Sequence, residues 1–98
     1  MAERIQTLHP QAGKKGVNID LAKYERIRDY LLQHIKKEGE ITYQELNNRA
    51  VTALSPTFKG KVGWYVVTVK LDLEARGIIE RVPKTSPHRV RLCSGTAG

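Results

Sequence analysis

Cysteine is nearly absent from this chain, and acidic residues are well outnumbered. The single thiol, Cys93, excludes an intrachain disulfide and fits a reducing compartment, so a cytoplasmic location is expected. No apolar run approaches the roughly 20 residues that a membrane span requires. The opening stretch MAERIQTLHPQAGKK lacks a continuous apolar segment and contains Glu3, which argues against a signal peptide. His9, His34, His88 and Cys93 stand at no metal-ligand spacing, and neither CxxC nor HxxxH occurs. Gly60-Lys61 lacks the upstream glycine and the following hydroxyl of a phosphate loop, and no nucleophile motif is present. Trp64 and Tyr65 offer rings to single-stranded bases, but no sheet motif of the RNA-binding kind surrounds them. The expectation is therefore no enzyme, no metal, no cofactor, no small-molecule ligand and no membrane partner.

What the chain does contain is positive charge. Its 98 residues carry 17 Lys+Arg against 10 Asp+Glu, a net +7. Hydrophobic residues make up 40%, enough for one small core and too few for a large catalytic cleft. Up to Phe58 the net charge is +2; from Lys59 onward it is +5, and no acid follows Arg81. Such a field attracts a polyanion, nucleic acid before an anionic surface. The plain alternative is a solvated face that keeps the protein soluble.

Patterning divides the chain into a polar arm over 1–17, a folded domain over 18–93 and a flexible tail over 94–98. Ile5, Leu8 and Val17 are the scattered apolar points of the arm. Asn18 or Asp20 can cap a helix to about Lys37, because Leu21, Tyr24, Ile27, Leu31 and Ile35 recur at spacings of three and four. Gly39 supplies its stop. Glu40-Ile41-Thr42 is one short ladder contact, and Thr42 to Glu45 reads as a capping box. The second helix runs through Leu46, Ala50 and Leu54 to Ser55-Pro56, since the residue before proline leaves the helical region.

Residues 62–76 fit two templates. Val67 to Glu74 alternates apolar and polar as a strand does. At helical spacing, Val62, Val66, Val69 and Leu73 form one stripe, and Trp64, Val67, Leu71 and Ala75 a second opposite it. After Gly77, Ile78 to Val82 and His88 to Leu92 read as strands around a proline-bounded basic loop. Cys93 onward reads as a frayed end.

The stretch Val69-Lys70-Leu71-Asp72-Leu73-Glu74-Ala75-Arg76-Gly77-Ile78-Ile79-Glu80-Arg81 resembles the junction between recognition helix and wing in winged helix-turn-helix proteins. Leu73, Gly77, Ile78-Ile79 and Arg81 stand at the matching positions, over a resemblance from Asp20 to Leu92. The chain also resembles a small bacterial winged-helix family without assigned function, in which an arm similar to Leu8-His9-Pro10 precedes the domain. The resemblance implies an α+β fold: three helices, a short strand and a two-stranded β-hairpin wing. It makes 62–76 a helix and implies a transcription-regulator-like contact with double-stranded DNA. Lys59, Lys61, Tyr65 and Thr68 then face the groove, and Lys84, Thr85, Ser86, His88, Arg89 and Arg91 form the wing side. The stripe Trp64, Val67, Leu71 and Ala75 is left on the outer side, to be covered by the arm or by a second copy. The alternative function is accordingly a non-catalytic protein-interaction domain or homodimer built on the Trp64/Val67/Leu71 ridge.

Overall fold

Arg4-Ile5-Gln6 and Asn18-Ile19-Asp20 alternate polar and apolar residues, which suits two short strands sharing one buried side. They form it: β1 (Arg4–Gln6) pairs antiparallel with β2 (Asn18–Asp20), Ile5 opposite Ile19. The computed structural model, which describes residues 3–93, is an α+β domain of three helices and two small sheets. The stretch expected as an arm without regular structure therefore contributes a strand. Its sequence signal is only three residues long, and the pairing partner lies beyond an irregular loop. The expected tail over 94–98 falls outside the described residues.

Asp20, not Asn18, caps the first helix, its carboxylate accepting from the Ala22 N–H at 2.8 Å. α1 (Leu21–Glu38) buries Tyr24, Ile27, Leu31 and Ile35, while Leu21 is half-buried at the entry. Gly39 at φ 80 ends it and donates its N–H to the Ile35 carbonyl. After β3 (Glu40–Thr42), the Thr42 hydroxyl accepts from the Glu45 N–H and starts α2 (Tyr43–Leu54). The Glu45 carboxylate does not complete the capping box; it accepts from Arg49 one turn on.

α3 (Val62–Ala75) settles the ambiguous stretch as helix. Val62, Val66, Val69 and Leu73 are buried against α1 and α2, as the stripe requires. Two polar residues on the same helix are buried as well, Lys70 and Asp72. β4 (Ile79–Arg81) and β5 (Arg89–Leu92) follow, and the second sheet has the order β3-β5-β4, all antiparallel. Ile41, Ile79 and Val90 close the core from that sheet. Cys93 is not frayed: its N–H donates to the Ile78 carbonyl at 3.0 Å, and burial with the neighbouring Glu80 pushes its thiol up. No helix among the described residues is long and apolar enough to cross a membrane.

Candidate nucleic-acid interface

The turn into α3 gathers cations from two parts of the chain. Lys59 and Lys61 are exposed on the turn itself. From α1, Arg26 donates to the Thr57 carbonyl at 3.2 Å and to the Thr57 hydroxyl, and its guanidinium lies 5.8 Å from the Phe58 ring centre. Lys23 sits 5.5 Å from the Tyr65 ring centre and 5.9 Å from that of Phe58. These ring faces attract the cations and hold them beside the turn. None of Lys23, Arg26, Lys59 and Lys61 has an ion-pair partner among the described residues. Lys61 is the N-cap of α3 and makes no side-chain cap, so the first N–H groups of the helix keep their partial positive charge in the middle of this cluster. Gly60 permits the approach: at φ 124 it lets Tyr65 lie where a Cβ would come within 3.0 Å of the ring.

Further along α3 the outer face is only partly open. Trp64 is 45% exposed and packs edge-on against Tyr65, which is half-buried on Phe58. Val67, Leu71 and Ala75 are half-buried, so the bare ridge expected from the second stripe is reduced to its first residue. The loop between β1 and β2 supplies the cover. Leu8, His9, Lys15, Gly16 and Val17 form a small groove with Trp64, Thr68 and Leu71. Thr68, expected to face the nucleic acid, is half-buried and lines that groove. Asp72 is not a surface charge on this helix. Its fully buried carboxylate accepts from the Leu8 N–H at 2.8 Å, from Arg76 at 2.8 Å and from the Tyr24 hydroxyl.

At the β4–β5 hairpin, Lys84 and Ser86 are exposed at the tip, with Lys84 in the left-handed region at φ 60. The Thr85 hydroxyl donates to the Val82 carbonyl and accepts from the Arg89 N–H, so it shapes the loop. Arg91 donates to Glu80 at 2.6 Å, and Arg89 lies 3.9 Å from Glu40. His88 stacks on Tyr43 at 5.5 Å between ring centres, and its Nε2 is buried with no hydrogen-bond partner among the described residues. Lys70, counted with the basic surplus, is buried 3.3 Å from Glu74.

A family of unknown function, DUF6958, matches residues 4–90. The chain belongs to DUF6958. No curated protein and no solved structure matches it. The matched span opens at Arg4, the first residue of β1, so the amino-terminal hairpin lies inside the extent of the DUF6958 domain.

Pairing redistributes the charge of this domain. Lys70, Arg76, Arg89 and Arg91 each face an acid, whereas Lys59, Lys61, Arg81 and Lys84 have none among the described residues. The basic surplus read along the sequence is thus held at two places, the start of α3 and the β4–β5 hairpin. Lys23 and Arg26 were not singled out from sequence. Their signal was available, two bases three apart on the polar side of α1, but the packing of α1 beside the turn was not. Among the described residues no group of His, Cys, Asp and Glu is arranged to hold a metal ion.

The base of the β4–β5 hairpin in the DUF6958 domain also carries a pH dependence. Burial first, then the charges of Lys70 and Arg81, hold the His88 imidazole below its ordinary 6.5, with Glu74 opposing. The unfolded chain therefore protonates at this position before the folded one does. His88 contributes stability that is present above that ordinary value and is lost as pH falls below it. Thermal melts from about pH 7 to about pH 5 should show a smaller loss in His88→Gln than in the parent. Parallel curves would remove His88 as the source.

Proposed function

We propose that the protein binds duplex DNA as a winged helix-turn-helix domain, using the start of α3 and the basic wing. One observation carries this reading: Lys23, Arg26, Lys59 and Lys61 converge, without acidic partners among the described residues, on the uncapped amino end of α3. Lysine ammonium groups and helix N–H groups are suited to phosphate oxygens, and duplex phosphates are spaced to engage several of them together. The order α1, β3, α2, α3, β4, β5, with β5 between its neighbours, supports the winged-helix assignment. In that arrangement α3 is the recognition helix. Lys61 at its N-cap and Tyr65 on its first turn reach base edges, while Lys59, Lys84 and Ser86 hold phosphates.

A salt series of fluorescence anisotropy on random-sequence duplex DNA tests this. Affinity should fall linearly on logarithmic axes, and Lys59→Ala with Lys84→Ala should lower the slope by about 2, at roughly 0.9 per phosphate contact. No binding, or binding indifferent to salt, overturns the reading. The exposed Trp64, beside exposed Leu8 and Val17, favours a second reading, self-association through that apolar patch. Light scattering on the same samples decides it, because a monomer throughout removes the second reading.

A further inference from the structure

The loop joining β1 to β2 lies outside the resemblance from Asp20 to Leu92, yet it is firmly built. At its base the Thr7 N–H and hydroxyl both donate to the Val17 carbonyl, at 2.8 and 2.9 Å, and the Thr7 hydroxyl accepts from the Val17 N–H at 2.8 Å. Thr7 is 2% exposed, so this clamp is shielded from water. One residue on, the Leu8 N–H is held by the buried Asp72 of α3, and Arg76 donates to both Asp72 and the Gln6 carbonyl. Gln11 and Lys14 close the far end through the Lys14 N–H and the Gln11 carbonyl at 3.2 Å. The loop is thereby fixed to α3 at one end and turned back at the other.

Its charge is of one sign. From Leu8 to Val17 the chain contains Lys14 and Lys15 and no acid. Both lysines are exposed, and neither has an ion-pair partner among the described residues. Lys15 borders the groove that Trp64 and Thr68 line, so it stands on the outer face of α3 that also presents Lys61 and Tyr65. The same loop puts a cation beside Thr68.

We infer that residues 8–17 form a second basic wing, in which Lys14 and Lys15 take phosphates of the duplex beside the carboxyl half of α3. This rests on the DNA reading above and extends the interface to residues outside the helix-turn-helix. The chemistry is ammonium on phosphate, sequence-independent, and the clamp at Thr7 and Asp72 means little loop ordering is left for binding to oppose.

The test uses the full chain with Lys14→Ala/Lys15→Ala, in the anisotropy salt series on random duplex DNA. The expected result is a slope lower by about 2 and, at about 0.1 M salt, an affinity lower by on the order of tenfold. Lys14→Arg/Lys15→Arg should keep the parental slope, since it preserves the charge. An unchanged melting temperature in each variant ties the loss to charge and not to the fold. A parent that binds with a normal slope, alongside an Ala variant with the same slope, overturns the second wing and leaves the DNA reading standing. A parent that binds no DNA overturns both.

Discussion

Replacing Asp72 with alanine is expected to destabilise the domain by about 3 kcal/mol, a large share of the stability of so small a protein. The carboxylate is fully buried and serves three donors: the Tyr24 hydroxyl, the Leu8 N–H and the Arg76 guanidinium. Removing it strands the buried Tyr24 hydroxyl and the part-buried Leu8 N–H and leaves Arg76 beside a void. At this chain size the loss corresponds to roughly 10–20 °C in melting temperature, to be read by calorimetry or circular dichroism. Because Leu8 is released together with Tyr24, the hairpin should loosen first, and Trp64 fluorescence should shift before global unfolding. A melt within about 1 kcal/mol of the parent would mean that water replaces the carboxylate at no great cost, and the three-donor hub would have to be abandoned.

The same hub has an alkaline limb. Burial, then the hydrogen bond and charge of Asp72, push the Tyr24 hydroxyl from 10.0 up to about 12. Above pH 10 the unfolded tyrosine ionises while the folded one remains a donor, so stability is lost as pH rises from 10 toward 12. Tyr24→Phe should flatten that limb.

Gly16→Ala is expected to open the base of the hairpin loop. A Cβ at this position would lie 2.2 Å from the Thr7 carbonyl oxygen and 2.4 Å from its hydroxyl. The first of these is backbone, so relief requires separating the strands at the Thr7–Val17 clamp. Overpacking of this kind costs about 1–3 kcal/mol, and here it falls on one element. The melt should drop by that amount, with fast hydrogen exchange confined to Thr7, Leu8 and Val17. Gly13→Ala is the control: its φ of 82 disfavours a side chain, but nothing lies within 4 Å of the added atom. Equal exchange at Thr7 in the two variants would show that the close approach at Gly16 is not what closes the loop.

Local patterns were readable without coordinates. The spacing of Tyr24, Ile27, Leu31 and Ile35 identifies α1 and its buried side, because helical periodicity is a property of neighbours three and four apart. Thr42 as a cap, Gly39 as a stop and Ser55-Pro56 as an end follow from hydrogen-bond and steric rules acting within a few residues. The region from Val62 to Ala75 was different, since β-branched residues on both sides of a buried helix mimic an alternating strand.

The amino-acid order by itself determined α1 and α2, the stop at Gly39, the cap at Thr42 and the excess of positive charge after Phe58. Only the tertiary structure decided which charges remain on the surface and which are consumed. Asp72 meets Leu8 from 64 residues away and Tyr24 from 48. Lys70 and Glu74 close on each other beneath Tyr43 and His88. Lys23 and Arg26 reach the turn at Thr57 across a helix pair. Burial and ion pairing depend on what the rest of the chain brings alongside, and no window of sequence contains that neighbour.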